Sequence, residues 1–317
     1  MSPESRIGVV GATGAVGTLT LQLLAERGYR EVRAFASARS TGRTVRFGRE
    51  ELPVEAATPE ALGSAGLDLC LFSVGASASR ELVPGATRAG VLCIDKSSAF
   101  RLEEGVPLVV PEVNGERALE HDGIVANPNC CAIPLACVLK PLAEAAGIRA
   151  LRIATYQSVS GAGAQSMERL RAQDPAGGNL GMDWDFDGEE LEEETKLREE
   201  TRKILELPEL RISATCVRVP VLVGHAEAVW LETEEDLSPE AARALLDEAP
   251  GVRLAELPTP REAAGGDDVL VGRIRRDPAA RHGLALWLVC DNLRKGAALN
   301  AIQIAELLLA PRPIAAR

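Results

Sequence analysis

The sequence predicts an α/β dinucleotide-binding domain followed by an α+β domain, and three observations carry that prediction. A strand of buried type, Ile7 to Val10, runs into the glycine-rich turn Gly11-Ala-Thr-Gly14-Ala-Val-Gly17 and then an apolar periodic segment, Leu19 to Leu24. Such a unit lets the backbone approach a pyrophosphate lying on the helix N-terminus. Strand-like runs at Glu31 to Ala36, Asp68 to Val74 and Val91 to Asp95 extend this start into an open parallel sheet. The second half mixes strands and helices without steady alternation, as an α+β domain does.

In chain order, the turn spaces its glycines as G-x-x-G-x-x-G, not as the G-x-G-x-x-G of the principal dinucleotide fingerprint. The helix closes at Gly28. The segment after the second strand, Ser37-Ala38-Arg39-Ser40-Thr41-Gly42-Arg43, has no carboxylate to take ribose hydroxyls and offers two cations, which points to NADP over NAD. The loops after the next strands, Ser73 to Ser77 and Lys96 to Arg101, should face the cofactor, because ligands gather at the carboxyl ends of parallel strands.

At Asn127-Pro128-Asn129-Cys130-Cys131 an extended segment turns into a helix running to about Ala146, with Asn129 as N-cap and Pro134 in the first turn. Unpaired amides and the positive end of the helix dipole at that junction favour a thiolate at Cys130. A strand from Arg149 leads into Gln157 to Gly163, and a helix begins at Gln165. Pro175 to Asp187 is a loop. The charged helix that follows, Glu189 to about Leu205, should present a mostly solvated face, with Glu193 and Lys196 three apart on one side of it. Strands at Ile212 to Val223 and Ala226 to Glu232 flank Gly224-His225. A helix at Pro239 to Glu248, a loop to Gly266, strands at Val269 to Arg275 and Leu284 to Cys290, and a helix from Ala297 to Ala310 complete the chain.

With 317 residues there is room for two full-sized cores. A net charge of -11 argues against nucleic acid or an anionic membrane as the principal partner. The seven cysteines include no C-x-x-C pair, so neither a disulfide framework nor a metal site is expected from their spacing. No signal-peptide core and no membrane span are present in the sequence, and the cytoplasm is the expected location.

Read together, the loops resemble the bacterial aspartate-β-semialdehyde dehydrogenase family along nearly the whole chain. The matching motifs are GATGAVG at 11 to 17, SSAFR at 97 to 101, NPNC at 127 to 130 and QSVSGAG at 157 to 163. RVPVLVGH at 218 to 225, VGRIRRD at 271 to 277 and DNLRKGAALNAIQIAE at 291 to 306 follow in order. The resemblance implies a Rossmann-type NADP-binding domain formed by 1–127 with 297–317, and an α+β catalytic and dimerisation domain over 128–296. It implies reductive dephosphorylation of L-aspartyl-4-phosphate to L-aspartate 4-semialdehyde, feeding lysine or diaminopimelate, threonine and methionine, by a homodimer.

Carried over residue by residue, Cys130 is the nucleophile that forms an acyl-thioester, His225 its acid/base partner and Gln157 the residue that orients the thioester. Arg218 grips the substrate carboxylate, Glu193 its amino group, and Arg101 and Lys196 the phosphate. Gly11, Thr13, Gly14, Ala15, Val16, Gly17, Arg39, Ser40, Ser73, Ser160, Gly161 and Asn292 contact NADP. Residue chemistry agrees: a thiolate attacks an acyl phosphate, and a histidine titrating near neutrality moves the protons. Of three histidines, His121 and His282 lie in or beside polar loops, which leaves His225 best placed. Cys131 stands where many relatives carry serine, which places a vicinal thiol beside Cys130. An N-acetyl-glutamyl-phosphate reductase-like enzyme and a non-catalytic relative of the same fold are the alternatives. The Arg218 and Glu193 pair, suited to a free amino acid, speaks against the first, and the retained cysteine and histidine speak against the second.

Overall fold

A computed structural model describes residues 4–172, 181 and 184–309. Most of the predicted loop at 175–187 and the end of the C-terminal segment lie outside the described residues. The chain divides into two compact units, Met1–Asn127 with Ala298–Arg317, and Pro128–Ala297.

The first unit is a seven-stranded sheet in the order β3-β4-β2-β1-β5-β6-β7. Its strands are β1 (Ile7–Val10), β2 (Val32–Ala36), β3 (Thr44–Phe47), β4 (Glu50–Ala56), β5 (Leu69–Phe72), β6 (Leu92–Asp95) and β7 (Ile124–Ala126). All neighbours pair in parallel except the β3–β4 hairpin at one edge. Helices α1 (Ala15–Glu26), α2 (Pro59–Ser64), α3 (Ala76–Arg88) and α4 (Pro111–Asn114) connect them, and the C-terminal helix Leu299–Leu309 returns to this unit. Ile7 and Val9 of β1 pack with Leu21 and Leu24 of α1 and with Leu299 and Ile302, whereas Val10 packs with Phe72, Leu82 and Val83. Both faces of β1 are therefore covered, which is why its sequence is a continuous apolar run.

The second unit carries a six-stranded mixed sheet, in the order β11-β8-β12-β15-β14-β13. Helix α5 (Ala132–Ala146) precedes β8 (Ile148–Ser158), and α6 (Ala164–Arg171) follows it. The short ladder β9 (Phe186–Asp187) with β10 (Glu190–Leu191) leads into α7 (Glu192–Leu205). The remaining elements are β11 (Arg211–Val219), β12 (His225–Thr233), α8 (Pro239–Asp247), β13 (Val252–Leu254), α9 (Pro260–Ala263), β14 (Val269–Arg276) and β15 (Gly283–Cys290). The sequence extends β11 to Val223, but the strand stops before Pro220, which has no N–H for the ladder. Val221 and Leu222 instead accept hydrogen bonds from the amides of Val159 and Ser160.

Register places chemistry on one face of this sheet. Arg218 of β11 pairs with Gln157 of β8, and His225 of β12 pairs with Cys290 of β15. Because Ala226 pairs with Tyr156, His225 lies level with Gln157. One rung away, two residues along each strand and so on the same face, stand Cys216, Thr155 and Glu227.

Candidate active site

Cys130 sits in the turn that opens α5. The backbone carbonyl of Asn129 accepts the amide of Ile133 at 3.0 Å, and its Oδ1 accepts the amide of Cys131 at 2.7 Å. Asn129 thus performs the N-cap function, although regular helix begins at Ala132. Helix α7 holds this turn. Glu200 Oε2 accepts the Asn129 amide at 2.6 Å, and Glu193 Oε1 accepts Asn129 Nδ2 at 2.9 Å. Cys130 is half-buried and Cys131 is buried. A side chain on Gly296 would press against Cys130 Cβ at 3.2 Å, so a glycine there leaves room for the Cys130 turn.

Two sulfurs and an imidazole converge here: Cys130 Sγ, Cys131 Sγ and a ring nitrogen of His225 lie within 4.8 Å of one another. His225 is 1 % exposed. Its Nδ1 accepts the Ser158 amide at 3.0 Å and lies 3.1 Å from Ser158 Oγ, which is 3.0 Å from Asn292 Oδ1 and can donate to it. With the amide donating, the ring proton rests on Nε2. In the other tautomer Nδ1–H donates to Ser158 Oγ and Nε2 presents a lone pair. Nε2 has no hydrogen-bond partner among the described residues, so the ring offers either a proton or a lone pair there.

Gln157 Nε2 donates to Glu193 Oε1 at 3.2 Å and to Thr155 Oγ1 at 3.3 Å. The Glu193 carboxylate is buried, takes these neutral donors, and pairs with no cation among the described residues. Arg218 is also buried; its Nη1 donates to the Ser158 carbonyl at 3.0 Å and its guanidinium lies 4.6 Å over the Trp184 ring. A Cβ on Gly161 would lie 3.1 Å from Arg218 Nη1 and 3.4 Å from His225 Nε2, so this glycine borders both. The solvated face expected of α7 is corrected: Glu193, Glu194 and Glu200 are buried because each carboxylate has backbone or amide donors to accept from. Lys196 does not turn inward with Glu193; it pairs with Glu192 at 2.8 Å, one turn away.

Glu227 was not among the sequence candidates. It is wholly buried one rung from His225, and neither oxygen has a partner of hydrogen-bonding geometry among the described residues. Burial first, and then the charge of nearby Cys130, push its carboxyl well above the usual carboxylate range. Burial likewise pushes up the Cys131 thiol beside it. The available signal was its position two residues after His225 in an alternating strand. Ser158 and Glu200 were missed because their roles depend on contacts across 67 and 71 residues of chain.

Asn292 Oδ1 accepts the Gly224 amide at 2.9 Å, and Asn292 Nδ2 donates to Ser160 Oγ at 2.9 Å. These two predicted cofactor residues therefore knit the His225 loop together.

In the first unit, Gly11 has φ +85°, and a side chain there would collide with the Ser73 carbonyl; one on Gly17 would collide with the Gly11 carbonyl. The turn is compact for that reason. Gly14 caps α1 without a side-chain hydrogen bond, and Thr13 and Gly14 are exposed. The amides of Ala15, Val16 and Gly17 in the first turn have no intrahelical acceptor, which suits a pyrophosphate. Arg39 and Ser40 lie in a short 3-10 turn just after β2, with Arg39 exposed. Arg101 is buried, donating to the carbonyls of Asn127 at 3.1 Å and Lys96 at 2.5 Å.

Residues 6–121 match the semialdehyde dehydrogenase NAD-binding domain, and residues 139–295 match the semialdehyde dehydrogenase dimerisation domain. The chain is 46 % identical to aspartate-semialdehyde dehydrogenase of Synechocystis over 98 % of both chains. It is 44 % identical to that of Aquifex aeolicus, over 96 % of this chain and 98 % of the relative. Among solved structures it is similar to aspartate semialdehyde dehydrogenase II of Vibrio cholerae, complexed with ASA, with TM-score 0.92 and 40 % identity over 98 % of this chain and 100 % of that one. It is also similar to the Candida albicans enzyme with NADP, with TM-score 0.80 and 28 % identity over 97 % and 99 %.

Proposed function

The chain belongs to the aspartate-semialdehyde dehydrogenase family, and from that premise we propose that it reduces L-aspartyl-4-phosphate to L-aspartate 4-semialdehyde with release of phosphate. The observation that supports this most directly is the approach of the Cys130 sulfur to the imidazole of His225, whose Nε2 is buried and without a partner among the described residues. Cys130 attacks the acyl carbon, the carbon–oxygen bond to phosphate breaks, and a thioester is left on the sulfur. Reduced NADP, which the Gly11 to Gly17 turn would hold, would supply the hydride, and reduction of this thioester leaves a tetrahedral oxyanion. His225 Nε2–H hydrogen-bonds that oxygen. The carbon–sulfur bond then breaks, releasing the aldehyde and restoring the thiolate. The departing phosphate takes up one proton, supplied by the imidazole or solvent.

Gln157 orients the thioester, and Glu193, which has only neutral partners, takes the substrate ammonium. Arg218 takes the carboxylate as a planar fork. Arg101 and Lys196 are assigned to the phosphate, and Lys196 must leave Glu192 to reach it. The Gly11 to Gly17 turn and α1 bind the pyrophosphate, with Ser73 beside Gly11; Arg39 and Ser40 bind the 2'-phosphate of NADP. Ser160, Gly161 and Asn292 would contact NADP. The product feeds lysine or diaminopimelate, threonine and methionine synthesis. A homodimer through the second unit and a cytoplasmic location complete the proposal; no helix among the described residues is long and apolar enough to cross a membrane.

An assay of phosphate-dependent NADPH formation from aspartate semialdehyde tests the assignment. Activity is expected with the free amino acid substrate, and preference for the N-acetylated glutamate analogue would overturn it. Cys130→Ala should abolish turnover while NADP still binds, and undiminished turnover in that variant would remove Cys130 from the mechanism.

A further inference from the structure

We propose that Cys130, Cys131 and His225 form a binding site for a thiophilic divalent cation of the zinc or cadmium class, which withdraws the nucleophile while it is bound. Two sulfurs and one imidazole nitrogen are a donor set that selects such ions over calcium or magnesium. Tetrahedral zinc with its usual bond lengths places these donors about 3.6–3.8 Å apart. The three atoms already lie within 4.8 Å of one another, so the approach needed is at most about 1.2 Å and falls within side-chain adjustment.

The second observation is His225 itself. Its Nε2 is buried without a partner among the described residues; when Nε2 turns its lone pair to a metal, Nδ1 gives up the Ser158 amide that it accepts at 3.0 Å and donates its proton to Ser158 Oγ, 3.1 Å away. Ser158 in turn lies within hydrogen-bond reach of Asn292, giving the outer-shell chain that metal-bound imidazoles usually have. Cys130 is only half-buried, which provides the entry path, whereas Cys131 lies beneath it. Binding releases the Cys131 thiol proton, and any proton still on Cys130, to solvent, and the two thiolates then balance the charge of the cation. A fourth position is left for water, as in three-ligand zinc sites.

Cys131 is the diagnostic residue because the proposed reaction does not use it. Titration of the full-length protein with Cd²⁺, read by the ultraviolet cadmium–thiolate charge-transfer band, is compared for the unmodified chain, Cys131→Ser and His225→Asn. The unmodified chain is expected to bind one cation with two sulfur ligands. Cys131→Ser should lose about half of the band and at least about tenfold in affinity, the lower end of what removing even an outer-shell partner costs. His225→Asn should keep the band at reduced affinity. Zn²⁺ should displace Cd²⁺ and inhibit the unmodified chain more strongly than Cys131→Ser, each measured against its own cation-free rate. An unaltered band and affinity in Cys131→Ser, or unaltered affinity in His225→Asn, would overturn the proposal. The optical readout does not depend on turnover, so this outcome is separate from that of the assay with aspartate semialdehyde.

Discussion

Glu227 is a carboxylic acid sealed behind Cys130. Its folded-state pKa lies above the value in the unfolded chain, about 4.3. The native state therefore holds a proton that the unfolded chain gives up. The resulting stability is fully present below the unfolded value and is lost as pH rises through the folded one. Glu227→Gln cannot ionise and keeps the shape, so it should be more stable than the unmodified chain at neutral and alkaline pH, with the difference shrinking toward pH 4. Urea denaturation at a series of pH values measures this, and parallel curves would refute it. His225 was legible from residue type and from the small number of histidines. Glu227 was hidden because glutamate in a strand ordinarily reads as the solvated side, and only its burial beside Cys130 and Cys131 reveals otherwise.

At the level of elements, the turn from β1 into α1 and the end of β2 were plain in the sequence, since glycine spacing and loop charge are local signals. The β3–β4 hairpin was not. Glu50 to Ala56, paired between the edge strand β3 and β2, carries three glutamates and Pro53, and the alternation of Leu52, Val54 and Ala56 is too short to betray it. Helix α7 was located but its orientation was misjudged, because carboxylates that accept buried amides look the same in sequence as solvated ones. Arg39, exposed after β2, is the proposed cofactor discriminator. Arg39→Ala should weaken NADP by about tenfold or more, roughly 1.4 kcal/mol, and leave NAD nearly unchanged. Fluorescence titration with both reduced cofactors reads this directly, and equal losses would remove Arg39 from recognition of the 2'-phosphate.

At the scale of the molecule, the contrast between a parallel sheet and a mixed one was legible from the pattern of crossovers. The order of strands in the mixed sheet was not, because β12 separates β8 from β15 by pairings that span most of the unit. The C-terminal helix belongs to the core of the first unit. Leu299, Ile302 and Ile304 are each at most 2 % exposed, and Asn300 Nδ2 donates to the Val109 carbonyl and Asn127 Oδ1. Burying three such side chains contributes about 5–9 kcal/mol, comparable with the whole stability of a typical domain, about 5–15 kcal/mol. Deleting 298–317 should therefore unfold the first unit, and loss of its amide protection in hydrogen exchange would show it; native-like protection would contradict it. During synthesis the same arrangement delays completion. The residues up to 127 wait, lacking their final helix, until 299–309 have also left the ribosome, and a nascent chain stalled at residue 297 should leave residues 4–127 open to protease.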